Sequence, residues 1–147
     1  MLRALNCMLT ISDSVRRNAK RALKLRDDGY AGGTATGVAR AMQLVNNKTI
    51  EMYDAMKMRA WFARHIRSGS YEKYVSWKRA SLEDRESHKN DWRGAIAWLL
   101  WGGTSACQWI LGDKMQDEIV KWGASTGRDL VDRVSFPSEY TLESLEK

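Results

Sequence analysis

Few residues in this chain have obvious chemical reach: two histidines, His65 and His88, and two cysteines, Cys7 and Cys107. His65 closes the string WFARH (61–65) beside Arg64, and no serine or cysteine with a recognisable nucleophile signature stands next to it. His88 lies among Glu83, Asp84 and Glu86, whose spacing matches neither a zinc nor a calcium pattern. The cysteines are far apart and too few for a disulfide framework, so both read as small buried hydrophobes in a reducing setting. Gly32, Gly33 and Gly37 could cradle a phosphate at a helix amino terminus. The dinucleotide and P-loop signatures, however, need a preceding strand, and the P-loop a Gly-Lys-Ser/Thr ending; neither is read here. The glycines therefore read as a structural turn, and no catalytic set, metal site or cofactor is expected.

Charge is the stronger signal. The chain carries 24 Lys and Arg against 18 Asp and Glu, net +6. Residues 1–67 hold 13 against 5, or +8, whereas residues 68–147 hold 11 against 13, or −2. A basic amino-terminal half suits an anionic partner. The candidate nucleic-acid contacts are Arg16, Arg17, Lys20, Arg21 and Lys24 on a first helix, then Arg40, Lys48, Tyr53, Lys57, Arg64 and Arg67 on or beside the two helices after it. Most would meet phosphate rather than bases.

These side chains need helices to position them. Ser12, Asp13 or Ser14 caps a helix over about 15–28, with Val15, Ala19, Ala22 and Leu23 as its apolar stripe and Gly29 as its stop. Gly32 and Gly33 open a turn, Thr34 or Thr36 caps a second helix, and Val38, Ala41, Met42 and Val45 form its buried side. Asn46 and Asn47 end that helix in a left-handed conformation. A third helix runs from about Thr49 to Ile66, with Met52, Ala55, Arg59, Phe62 and Ile66 on one face. Arg59 on an apolar stripe requires a carboxylate or carbonyl for its guanidinium. The second and third helices, joined by Asn46, Asn47 and Lys48, are a candidate helix-turn-helix in which Tyr53, Lys57 and Arg64 reach DNA.

Beyond Arg67 the spacing of Tyr71, Tyr74 and Trp77 predicts a helix over about 71–86, and these three aromatics are the candidate partner-binding surface. Asn90 or Asp91 caps an apolar core helix over 92–101 that ends at Gly102 and Gly103. Thr104 or Ser105 starts a further helix, carrying Trp109, Ile110 and Val120 and stopped by Gly123 and Gly127. Seven tryptophans are many for 147 residues. Trp92, Trp98, Trp101, Trp109 and Trp122 read as an aromatic core, while Trp61 and Trp77 are the better candidates for exposed stacking, with core favoured for Trp61. The fold expected is all-α: a single compact bundle of five or six helices over 1–124, its first three forming the basic part. Residues 125–147 form an acidic tail ordered in part by docking through Phe136, Pro137 and Tyr140. The amino terminus lacks a cleavage site, and the apolar run 95–101 is far shorter than the roughly 20 residues of a membrane helix, so no membrane partner is expected.

The strings SVRRNAKRALKLRDD (14–28), GGTATGVARAMQL (32–44), WFARH and AIAWLLWGG (95–103) together resemble a small domain family encoded by bacteriophages and prophages. Its pattern is a basic helix, then GGT-x-x-GVARA-x-x-L, F-x-RH and AWLLWGG, matched in order and spacing over about 14–110. The resemblance implies a viral origin, near or fused to head and DNA-processing proteins, and no established activity. Family members usually carry a glycine- and proline-containing loop between RH and AWLLWGG; the charged segment 71–89 departs from it. The function expected is non-catalytic DNA binding in phage replication, packaging or host takeover, in the infected host's cytoplasm. The alternative is a virion, head-assembly or connector component acting through contacts with viral or host proteins.

Overall fold

A computed structural model describes residues 8–138 and 140–146. Helix α1 (Asp13–Asp27) starts where Ser12 accepts the Val15 amide at 3.3 Å, with Asp13 in the positive first turn. It buries Val15, Ala19 and Ala22 and stops before Gly29, whose φ of 101° is left-handed. Helix α2 (Ala35–Asn46) starts where Thr34 accepts the Gly37 amide at 3.1 Å. Its buried face is Gly37, Ala41 and Leu44; Met42 is half exposed, and Val38 and Val45 lie at the margin. The small residues face inward because α2 packs closely on α1 and on the core helix. Asn47 ends α2 in an extended rather than a left-handed conformation, since the chain enters a strand there.

That strand, β2 (Thr49–Glu51), pairs antiparallel with β1 (Met8–Thr10), Leu9 opposite Ile50. The third predicted helix therefore begins later, as α3 (Met52–His65), where Glu51 and Asp54 form a capping box. A strand paired with a distant segment thus occupies what was expected to be the first residues of the second helix of the helix-turn-helix. The predicted face of α3 is buried throughout, Arg59 and the C-capping Ile66 included.

The described residues hold eight α-helices rather than five or six, because two predicted helices are each divided. The segment 71–86 breaks at Ala80 into α4 (Ser70–Arg79) and α5 (Leu82–Ser87), where Ser81 captures the Asp84 amide at 3.1 Å. The core helix α6 (Arg93–Leu100) is flanked by Trp92, and neither Asn90 nor Asp91 caps it. Gly102 turns the chain at a φ of 106° into α7 (Gly103–Leu111), and Gly112 separates that helix from α8 (Asp113–Ser125). Thr104 does not cap α7; its hydroxyl accepts the buried Trp98 indole N–H at 3.1 Å. Gly123 lies inside α8 rather than ending it, and its missing side chain makes room for Leu130.

Helix α6 buries Ala95, Ile96, Trp98, Leu99 and Leu100 and packs against α1, α2, α4 and α7, while α3 lies on α7 and α8. The carboxy-terminal segment docks more closely than its composition suggested. Leu145, in a 3-10 turn (Glu143–Glu146), is buried; its carbonyl accepts the Tyr71 hydroxyl at 2.7 Å, and Leu142 accepts Gln108 at 3.2 Å. No helix among the described residues is long and apolar enough to cross a membrane.

Candidate nucleic-acid interface

Burial of Val15, Ala19 and Ala22 turns the opposite side of α1 to solvent, and with it Arg17, Lys20 and Arg21. Helix α4 buries Ser70, Tyr71 and Trp77 and so exposes Lys78 and Arg79. Between the two helices lies an open cleft of about 370 Å³, lined by Arg17, Asn18, Lys78 and Arg79 and closed by Thr104 and Ser105 of α7. Arg21 lies 4.8 Å and Arg85 3.9 Å from the centre of the Trp77 ring. Arg85 also donates to the carbonyls of Trp77 and Lys78, at 2.7 and 3.0 Å, satisfying the carboxy-terminal end of α4. Among the described residues, Arg17, Lys20, Arg21, Lys78 and Arg79 form no ion pair with any carboxylate. Arg17, Lys78 and Arg79 thus meet at one cleft, and Lys20 and Arg21 extend the positive charge along α1.

Comparison with protein-family models, curated proteins and solved structures finds no match. The chemistry of this surface is therefore read from its own residues.

Four other cations expected at the interface, Arg16, Lys24, Arg40 and Arg67, are engaged within the fold. Arg16 pairs with Asp13 at 3.3 Å and donates to the Asn47 carbonyl at 2.9 Å; Lys24 pairs with Asp28 at 3.4 Å. Arg40 pairs with Asp54 at 2.9 Å, donates to Gln43 and lies over the Trp101 ring. Burial alone would raise the Asp54 carboxyl, but the bonds from Arg40 and the Glu51 amide bring it below its ordinary value. Arg67 donates to Ser135 and helps to hold the tail. Lys48 is exposed in the turn before β2.

Tyr53, Lys57 and Arg64 line a different groove, beside the first turn of α2, and do not join the α1–α4 cleft. Two of the three expected partner-binding aromatics are core: Tyr71 is 6% exposed and Trp77 2%, the latter covered by the two guanidiniums, and only Tyr74 keeps partial exposure. Trp61 is buried at 7%. It stacks between His65 and Trp101, with ring centres 4.1 and 4.9 Å away. Lys78, Arg79 and Arg85 were missed in the sequence because charge in 68–147 sums to a negative value; the run WKRA (77–80) was the local signal.

The remaining titratable groups have structural settings. Burial pushes the Cys107 thiol up to about 12, which keeps it protonated at neutral pH, while Cys7 lies outside the described residues. Burial, and then Arg64, lower the His65 pKa. His88 Nδ1 lies 3.0 Å from the Asp84 carbonyl at the end of α5. No group of three or more His, Cys, Asp or Glu among the described residues is placed to hold a metal.

Proposed function

We propose that the protein binds DNA without catalysis, chiefly by phosphate contact, through the face formed by α1 and α4. The observation that carries this reading is the set of five exposed cations, Arg17, Lys20, Arg21, Lys78 and Arg79, on the two helices that flank one cleft, with no carboxylate partner among the described residues. Each cation that neutralises a phosphate releases condensed counterions, so such a face binds in a salt-dependent and largely sequence-independent manner. The setting we infer is phage replication, packaging or host takeover, supported by the resemblance of the four sequence strings.

An assembly role through exposed aromatics has less support. The large apolar side chains most exposed, Met8, Met42, Tyr53, Leu82 and Val131, come from five separate segments. Fluorescence anisotropy with labelled duplex DNA across a salt series tests the reading. Five phosphate contacts give a slope of log affinity on log salt of about −4.5. Binding that ignores salt, or no binding at low salt, rejects it.

A further inference from the structure

The turn of GGTATGVARA, the end of WFARH and the last tryptophan of AIAWLLWGG meet at one groove of about 620 Å³, away from the α1–α4 face. Its inner wall is the indole of Trp101, 6% exposed, whose N–H has no hydrogen-bond acceptor among the described residues. A Cβ at Gly37 would sit 3.3 Å from that indole nitrogen, so the nitrogen stands against the first turn of α2. Thr34 and Thr36, at the start of this 12-residue helix, form the second wall, and Lys57 and Arg64 of α3 form the third. Neither Lys57 nor Arg64 pairs with a carboxylate among the described residues, and no Asp or Glu lines the groove. A second concavity continues it past Gly33 and Trp61 and adds Arg93, again with no acidic residue.

An indole N–H, the Thr36 hydroxyl, the first-turn amides of α2 other than the Gly37 amide that Thr34 already accepts, an ammonium and a guanidinium are a set rich in donors and positive charge. Such a set selects an anion with several acceptor oxygens. A phosphomonoester, with three terminal oxygens and nearly two charges at neutral pH, matches donors arriving from three elements better than a singly charged phosphodiester or carboxylate. We propose that this groove binds a phosphomonoester group, carried by a mononucleotide or by the 5′ end of a nucleic-acid strand. The site is separate from the α1–α4 face and does not depend on DNA binding there.

The test uses NMR of the full chain, following the Trp101 indole resonance, assigned by its loss in Trp101→Phe. The probes are inorganic phosphate, adenosine monophosphate, adenosine, and a short single strand with and without a 5′ phosphate. Phosphate and the monophosphate should shift the resonance while adenosine leaves it in place. Lys57→Gln with Arg64→Gln should weaken binding about tenfold or more, and Arg17→Gln with Lys78→Gln should leave it unchanged. Both Lys57 and Arg64 are exposed, so the double variant can also be compared with wild type by calorimetry if Trp101→Phe fails to fold. In the Arg17→Gln, Lys78→Gln background, a strand whose 5′ phosphate tightens its effect on the Trp101 resonance over the same strand without one, and beyond the monophosphate, assigns the strand end as the ligand; a strand that gains nothing over the monophosphate assigns the free nucleotide. No response to phosphate or monophosphate at about 10 mM, or one undiminished in the double variant, overturns the proposal.

Discussion

Arg40 and Arg59, and by contrast Arg17 and Arg21, set the same residue type under opposite conditions. Arg59 is 4% exposed; it donates to Gln116 Oε1 at 3.2 Å and to the Val131 carbonyl, tying α3 to α8 and to the tail. Arg40 joins α2 to the start of α3 through Asp54. Arg17 and Arg21 pair with no carboxylate among the described residues, and Arg21 rests on the Trp77 indole. A count of positive residues thus measures two quantities at once, internal fastening and external field. Only the cations left unpaired by folding contribute fully to the second.

Substitutions can separate the two. Replacing four of the five exposed cations together, Arg17, Lys20, Lys78 and Arg79 to Gln, and sparing Arg21 because it covers Trp77, should lower DNA affinity about a hundredfold at low salt and flatten the salt slope. The urea midpoint should hardly change, because exposed positions away from special contacts usually shift stability by less than about 0.5 kcal/mol. Arg59→Ala should do the reverse. It leaves a void where the buried guanidinium stood and removes the tie from α3 to Gln116 and Val131, costing about 3 kcal/mol in urea unfolding while the folded fraction still binds DNA. An affinity loss in Arg59→Ala beyond its unfolded fraction would break the comparison.

Asp54→Asn should have a smaller effect, about 1 kcal/mol, with a pH signature. The folded carboxyl lies below its ordinary value of 3.8, so its contribution is complete above that value and disappears as pH falls through the depressed folded one. Acid titration of stability should therefore be shallower in the variant. The smallest effect is assigned to His65→Gln. The folded imidazole titrates below its ordinary 6.5, so the unfolded chain takes up the proton first and stability declines as pH drops beneath 6.5. The variant should lose that part of the slope, and an unchanged slope would show that His65 is not the group responsible.

Local signals in the sequence were legible where they act within one turn. Ser12 and Thr34 cap the helices they were expected to cap, and the α3 stripe was read correctly down to the carbonyl partner that Arg59 demanded. Features decided by distant contacts were not. Three-residue strands are too short to show alternation, and β2 exists because residues 8–10 reach it across the fold. The division at Ser81 was nominally visible as Ser81 followed by Asp84, yet the three-residue spacing of Tyr71, Tyr74 and Trp77 suggested one continuous helix. Trp77 looked exposed because guanidiniums from α1 and α5, rather than apolar neighbours, cover it. The α1–α4 cleft was half legible: its α1 cations stood out, but Lys78 and Arg79 were hidden in an acidic average.

The bond between Tyr71 and Leu145 spans 74 positions of chain. Bringing such remote segments together costs more loop entropy than closing any of the helical turns, and the gain arrives only after the bundle beneath it exists. In the time order of folding, the strap that buries Leu145 belongs among the last parts to settle. For the same reason it belongs among the first to leave when the native state opens locally, which makes it the natural starting point for unravelling.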